Sequence, residues 1–246
     1  MVKHYIIISS SYSNGTRIAY DIVGKNAVEK IKDIIYKITN TCGNDVPLST
    51  HSINTDDESW DSVIRYDPFF KDIVAIDTID KFIELINNDR TLKGLDVAKY
   101  VLSRIKKCTH LKLQKLVYLC YADYLCKTGN KLFTSEIYAF SYGPVIDDVY
   151  EACKKYGSLE IDNGDEITGS VNELPAQSRI LFTKDGIIKL DSINKTLKNY
   201  SHLTATALVK LTHQEETPWS YTDSSIQYNV IIDEDILKYH CNEIMR

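Results

Sequence analysis

The spacing of apolar residues changes near residue 90 of this 246-residue chain. Before that point, short apolar runs at residues 5–8 and 72–76 alternate with segments whose apolar residues recur every three or four positions. This pattern is typical of strands that alternate with amphipathic helices. Beyond it, helical spacing continues through most of the chain. We therefore predict an α+β protein, with a small α/β domain over residues 1–90 followed by a mainly helical domain over residues 91–246.

Several segments carry more specific local signals. Residues 42–57 are polar and contain a proline, so they predict a loop, and residues 137–142 predict a short extended piece. Pro144 stands where a helix would begin, because a proline at the first helical position loses no hydrogen bond. Gly157 stands where that helix would end. Residues 159–178 are polar and contain two glycines and a proline, which predicts a mobile loop.

Basic residues concentrate in one stretch of a chain whose net charge is −5. Residues 92–134 contain nine basic and two acidic residues. This stretch is either a basic helix pair neutralised by its acidic flanks, or a docking face for an acidic partner or a phosphate backbone. Only six of the 29 basic residues are arginines, which most often read base edges, so nucleic acid is the less favoured partner. The candidate partner-binding residues of the stretch are Lys106, Lys107, Lys112, Gln114, Lys115 and Tyr118.

The six cysteines form no Cys-x-x-Cys pair and none stands at zinc spacing from a histidine. Cys120, Cys126 and Cys153 interrupt apolar helical patterns, so we expect them to be buried, reduced thiols. For all six cysteines we expect no disulfide and no bound zinc, as is usual in the cytoplasm. The apolar run at residues 5–8 is too short for the core of a signal peptide, and no window approaches 18 apolar residues. These features predict a cytoplasmic protein without a membrane span.

The motifs of common enzyme classes are missing from the sequence. There is no phosphate-binding Gly-x-x-x-x-Gly-Lys, no Gly-x-Ser-x-Gly and no His-Glu-x-x-His. His213 and Glu215 form a His-x-Glu pair, but the Pro-Cys-x-x-Cys that would complete a zinc deaminase site does not follow. The sequence therefore assigns no catalytic residue, no metal ligand and no cofactor, and indicates a protein that is not an enzyme.

Three blocks in the second half of the chain carry a family resemblance. They are Leu111-Lys-Leu-Gln-Lys-Leu116, Tyr142-Gly-Pro-Val145, and Leu211-Thr-His-Gln-Glu215 with Pro218-Trp219. In order and spacing they resemble the Panacea domain, also called the SocA-like or GepA-like antitoxin domain, over about residues 92–246. The motif residues, for which we expect structural roles, are Leu113, Leu116, Tyr142, Gly143, Pro144, Gly157, His213 and Trp219.

The resemblance implies a binding function. Many proteins with this domain are antitoxins of bacterial and phage toxin–antitoxin pairs that neutralise a cognate toxin by direct contact, and one member delivers its toxin to a ClpXP-type protease. Residues 1–90 have no counterpart in the minimal domain, so they are candidates for partner specificity.

Three functions compete on this basis. The first is an antitoxin-like protein or protease adaptor that binds a toxin. The second is a nucleic-acid-binding regulator that represses its own operon, or another accessory protein of a phage. The third is an enzyme whose chemistry lies in the N-terminal domain. The scarcity of arginine disfavours the second function and the missing motifs disfavour the third.

Overall fold

The computed structural model of the chain describes residues 1–12, 15–24, 27–161, 173–222, 225–226 and 228–241. The chain divides into two compact units, Met1–Thr91 and Leu92–Arg246. The first combines a sheet with helices and the second is mainly helical, which confirms the predicted α+β class. In the described part of the chain, no helix is both long enough and apolar enough to cross a membrane.

The first unit is built on a four-stranded sheet in the order β3-β1-β2-β4. The strands are β1 (Val2–Ser11), β2 (Thr16–Val23), β3 (Leu48–Thr55) and β4 (Ile73–Ala75). β1 pairs antiparallel with both β2 and β3, and β2 pairs parallel with β4. The predicted loop over residues 42–57 was wrong, because residues 48–55 of it form β3. A polar edge strand still forms when its backbone pairs with a central strand, here β1.

Helices cover both faces of this sheet. They are α1 (Ala27–Cys42), α2 (Trp60–Tyr66) and α3 (Ile79–Arg90), with a 3-10 turn at Pro68–Phe70. Ile38 of α1 and Phe82 of α3 pack on one face beside Ile7, whereas Val63 and Phe70 pack on the other beside Ile6. The strands are therefore apolar on both faces, which explains the continuous apolar run at residues 5–8.

The second unit is organised around one long helix. Its helices are α4 (Gly94–Arg104), α5 (His110–Thr128), α6 (Asp147–Cys153), α7 (Glu173–Leu181), α8 (Gly186–Tyr200), α9 (Ala205–Thr212), α10 (Pro218–Tyr221) and α11 (Asp233–Asp235). A 3-10 turn, Lys154–Tyr156, follows α6, and a π-helical turn, Ile236–His240, follows α11. Thr109 caps the start of α5 by accepting a hydrogen bond from the Lys112 amide, and Gly129 ends α5 with φ +69°. Thirteen of the 19 residues of α5 are buried, because neighbouring elements pack around most of the helix.

A small sheet lies beside α5. β5 (Ile137–Phe140) and β6 (Gly143–Ile146) form an antiparallel hairpin. Residues 229–231 add a short third segment, which one isolated antiparallel bridge joins to β5: the Ala139 amide donates to the Asn229 carbonyl and the Ile231 amide donates to the Ile137 carbonyl, both at 2.8 Å. We call this segment the third strand, and the hairpin together with it the small sheet.

Two local predictions for this unit were wrong. Pro144 does not begin a helix: it lies in β6, where it pairs with Ala139, and α6 begins at Asp147. A proline is tolerated there because it lies on an edge strand. The predicted loop over residues 159–178 ends within α7, while residues 162–172 lie outside the described part of the chain.

The prediction that the chain holds no disulfide was also wrong. Cys126, in the last turn of α5, is bonded to Cys241, which follows the π-helical turn. Their Cα atoms are 5.4 Å apart, well within the range that a disulfide can span, although 115 residues separate them in sequence. Cys42, Cys108, Cys120 and Cys153 are free and buried, as predicted for Cys120 and Cys153.

Candidate partner-binding surface

The candidate residues of the basic stretch do not form one exposed surface. Lys106 and Lys107 are exposed between α4 and α5, and Lys112 is half-buried with its ammonium donating to the Ser201 carbonyl at 2.7 Å. The side chains of Gln114, Lys115 and Tyr118 are buried. Neighbouring elements enclose these three side chains, so they do not lie on the surface of the unit, and their contact with a partner stays a prediction.

Lys115 points beneath the turn of the β5–β6 hairpin. Its side chain is 0% exposed, and its ammonium donates to the Pro144 carbonyl at 2.8 Å. Burial lowers the pKa of Lys115 to about 7. Within the described ranges, no carboxylate forms an ion pair with it. The lysine therefore holds the hairpin through one hydrogen bond, and burying its amine away from water costs free energy of folding.

Gly143 provides the space that Lys115 occupies. Its φ is +96°, which side chains rarely adopt, and a Cβ atom there would lie 2.8 Å from the Lys115 Nζ. The same Cβ would lie 3.0 Å from the Cε1 atom of His213. Only glycine satisfies the backbone conformation and the close approach together.

Gln114 binds the other end of β6. Its side-chain oxygen accepts from the Ile146 amide at 2.8 Å, and its side-chain nitrogen donates to the Ile146 carbonyl at 3.3 Å. The amide group thus satisfies both backbone groups of Ile146, as a neighbouring strand would. The same nitrogen lies 3.2 Å from Nε2 of His110, whose pKa is lowered mainly by burial. His110 can therefore accept this hydrogen bond in its neutral form.

His213 and Trp219 hold the β5 side of the turn. The indole N–H of Trp219 donates to the Phe140 carbonyl at 2.8 Å, and Nε2 of His213 lies 3.2 Å from the Ser141 carbonyl oxygen. The two rings are 3.9 Å apart between centroids. The structure therefore brings residues from all three sequence blocks to one hairpin.

The other motif residues take different positions. Leu113 and Leu116 are fully buried in the core, whereas Gly157 is exposed and ends the 3-10 turn after α6 with φ +54°. Tyr142 lies at the tip of the hairpin and its side chain is 68% exposed. Tyr142 thus presents most of its side chain to solvent.

The outer face of the small sheet is apolar. Along β5, Ile137 and Ala139 point into the core, so Tyr138 and Phe140 point away from it. The Tyr138 ring lies 5.3 Å from the Tyr228 ring between centroids, and Phe140 lies 5.7 Å from Tyr228. An antiparallel sheet with one face on the core usually presents polar residues on the other. This face presents clustered rings instead.

We call Tyr138, Phe140, Tyr150, Tyr228 and Val230 the aromatic face. Phe140 also lies 5.4 Å from Tyr150, and Val230 pairs with Tyr138 across the strands. Tyr228 is 50% exposed and Val230 is 37% exposed. Tyrosine and phenylalanine are enriched in protein interfaces, because rigid rings bury much area for little loss of conformational entropy.

Charged residues border the aromatic face. Lys154, in the 3-10 turn after α6, donates to the Glu151 carboxylate of α6 at 2.6 Å and forms an exposed ion pair with it. This hydrogen bond is the largest cause that raises the pKa of Lys154, and electrostatic interactions with Tyr150 and Tyr228 also raise it. An apolar centre with a polar border is the arrangement found in protein–protein interfaces.

The first unit holds a polar cluster that sequence reasoning missed. His4 Nδ1 lies 2.6 Å from an Asp21 carboxylate oxygen, and His4 Nε2 lies 2.8 Å from the Thr55 hydroxyl oxygen. Ser62 donates to the same hydroxyl at 2.8 Å. The order carboxylate, imidazole, hydroxyl resembles a hydrolytic triad, but His4, Thr55 and Ser62 are all buried, so a substrate cannot reach the hydroxyls.

This cluster joins residues 51 positions apart, and no local sequence motif marks it. Its contacts instead link β1, β2, β3 and α2 within the sheet unit. In the described ranges, this cluster included, no group of three or more His, Cys, Asp or Glu side chains is arranged to hold a metal ion.

Comparison with known proteins agrees with the resemblance seen in the sequence. Residues 113–220 match the family model described as "Antitoxin SocA-like, Panacea domain", which confirms the predicted Panacea domain. The matched region includes α5, the β5–β6 hairpin and the residues of α9 and α10 that hold it. No curated protein and no solved structure matches the chain.

Proposed function

We propose that this protein is an antitoxin-like binding protein that neutralises a cognate toxin by direct contact through the aromatic face. The antitoxin-type domain at residues 113–220 supports a toxin as the partner in general. The observation that carries the choice of surface is the cluster of contacting rings on the outer face of the small sheet.

The hairpin beneath this face is held in place by hydrogen bonds from the rest of the unit. Lys115, Gln114 and Trp219 each bond the hairpin backbone from a different position, so β5 and β6 are fixed before a partner arrives. A surface that is already ordered loses little conformational entropy on binding. Tyr138 and Phe140 are therefore suited to be the residues that contribute most to affinity.

The exposed lysines contribute differently under this proposal. Lys106 and Lys107 lie in solvent between α4 and α5, where they affect long-range attraction of an acidic partner more than the stability of the complex. Their effect should weaken with added salt, because exposed charges are screened over about 10 Å at 0.1 M ionic strength. Removing the rings should lower affinity at every salt concentration.

Rescue of growth tests the proposal. The candidate toxin is the product of the gene adjacent to the one that encodes this chain. It is induced in cells that also express the wild-type chain, the double variant Tyr138→Ser/Tyr228→Ser, or the control Ile187→Ser. Ile187 lies in α8 and is 76% exposed, so the control removes an exposed apolar side chain elsewhere in the same unit. We expect the wild type and the control to rescue growth, and the double variant to fail although it is folded by circular dichroism.

Two further readings of the same cells complete the test. Full rescue by the double variant would refute the aromatic face as the binding surface. Immunoblots of the toxin separate two mechanisms: unchanged toxin levels favour occlusion by binding, whereas falling levels that depend on a protease favour delivery for degradation.

A further inference from the structure

The third strand of the small sheet belongs to the C-terminal part of the chain. Residues 229–231 pair with β5 and lead directly into α11 and the π-helical turn that ends at Cys241. Tyr228 and Val230 of the aromatic face lie on this strand or next to it. The position of these two side chains therefore depends on how the C-terminal segment, residues 228–241, is held.

Contacts with α5 hold this segment along its length. The Tyr121 hydroxyl donates to the Asp233 carboxylate at 2.7 Å, and the Ile236 side chain is buried in the core. His240 Nε2 lies 3.0 Å from an Asp123 carboxylate oxygen. At its far end the segment is tied covalently to α5 by the Cys126–Cys241 disulfide.

The two bonded cysteines differ from the other four in accessibility. Cys126 and Cys241 are both half-buried, whereas the remaining cysteines are buried. Burial raises the pKa of Cys108 to about 12 and that of Cys153 to about 11, and it also raises the pKa of Cys42 and Cys120. Because the thiolate is the reactive form, thiol exchange at the four buried cysteines is suppressed.

We propose that Cys126 and Cys241 form a reversible redox site that controls how firmly residues 229–231 stay paired with β5, and so how well Tyr228 and Val230 of the aromatic face are held in place. The proposal rests on the proposed function, because it names how that same binding surface is regulated. The oxidant is a small-molecule disulfide. One cysteine thiolate attacks it to give a mixed disulfide and releases one small thiol; the second cysteine thiolate then attacks the bonded protein sulfur and releases the other small thiol.

In the oxidised protein the disulfide closes the far end of the segment on α5, so residues 229–231 remain paired with β5. In the reduced protein the segment keeps the noncovalent contacts of Asp233, Ile236 and His240 but loses its covalent tie. Local opening of the segment becomes more frequent because the reduced chain has more conformations available when it opens.

The test uses the full-length protein without a partner, treated with either glutathione disulfide or dithiothreitol. Cysteines are then alkylated under denaturing, non-reducing conditions and counted by mass spectrometry. We expect four labelled cysteines after glutathione disulfide and six after dithiothreitol, with the unlabelled pair at Cys126 and Cys241. Hydrogen exchange of residues 229–241 should be at least about tenfold faster in the reduced protein, while residues 143–146 should exchange at the same rate in both.

The variant Cys126→Ser is the matched control. It should exchange at the reduced rate under both conditions, which separates loss of the disulfide from other effects of dithiothreitol. Six labelled cysteines after glutathione disulfide would overturn the proposal, and so would equal exchange of residues 229–232 in the two states. Because no partner is present, these results stand apart from the rescue experiment: the aromatic face can prove to be the binding surface even if its redox control is refuted.

Discussion

Replacing the buried Lys115 by methionine should change how the stability of this protein depends on pH. Methionine has a similar length and shape but neither a proton nor a charge. It removes the hydrogen bond to the Pro144 carbonyl, which costs about 1–3 kcal/mol when a buried acceptor loses its partner. It also removes the unfavourable burial of an ammonium group, so the two effects oppose each other at neutral pH.

The pH dependence follows from the lowered pKa of Lys115. Its pKa falls from 10.5 to about 7 on folding, so between these values the unfolded chain binds a proton that the native protein has lost. Stability therefore rises with pH across this window. One pKa unit corresponds to 1.36 kcal/mol, so the whole window is worth about 5 kcal/mol, of which about 2 kcal/mol is recovered between pH 7 and pH 9.

Urea unfolding at pH 7 and pH 9 measures this effect. The free energy of unfolding of the wild type minus that of Lys115→Met should increase by about 2 kcal/mol between the two pH values. Titrations common to both proteins cancel in this difference. Lys106→Met is the matched control, because Lys106 is exposed and the same substitution there removes no buried amine. A pH-independent difference for Lys115→Met would refute the assignment of Lys115 as a buried, desolvated amine.

Three further changes have expected outcomes in equilibrium unfolding. Gly143→Val should lower the free energy of unfolding by about 2–4 kcal/mol, through backbone strain and a clash. In the control Gly129→Val the added Cβ atom meets no atom within 4 Å, so backbone strain alone should lower it by about 1 kcal/mol. Equal losses in the two variants would contradict the close approach at residue 143. Gln114→Leu should cost about 2–4 kcal/mol because both backbone groups of Ile146 lose their partner, and a cost under about 1 kcal/mol would show that they find another. Under oxidising conditions Cys126→Ser should be less stable than the wild type by up to about 5 kcal/mol, given the long loop that the disulfide closes, and identical unfolding midpoints would argue against the bond.

Sequence periodicity was sufficient for the fold class because it reports which elements bury one face. It was less informative for α5, where Leu113 and Leu116 were expected to be structural and Gln114 and Lys115 to bind a partner. Neighbouring elements enclose the side of the helix that carries Gln114 and Lys115, so these two residues are internal anchors for the hairpin. Which polar residues of a central helix are enclosed depends on neighbours that are distant in sequence.

Local rules also failed where tertiary pairing decided the outcome. Pro144 fits a helix start by its backbone preferences, but the antiparallel pairing of β6 with β5 places it in a strand. Residues 48–55 lack a strong apolar pattern and still form β3, because β1 supplies the pairing. In both cases the partner strand, rather than the local sequence, determines the structure.

The candidate site was only partly accessible from the sequence. Residues 137–142 were predicted to form a short extended piece, and β5 lies within them. His213 and Trp219, which contact the hairpin backbone, were expected to be structural, whereas Gln114 and Lys115 were expected to bind a partner. The aromatic face needs the third strand, about 90 positions further along the chain, to bring Tyr228 and Val230 beside β5. Cys126 and Cys241 are 115 residues apart, and no spacing motif in the sequence predicts that they form a disulfide.

The most direct test of the central claim is a hydrogen-exchange footprint of the protein bound to its toxin partner. The aromatic face predicts that binding protects residues 137–142 and 228–231, while the loop carrying Lys106 and Lys107 exchanges as it does in the free protein. Protection of that loop, with unchanged exchange at both segments of the small sheet, would contradict the account and place the interface on the basic stretch.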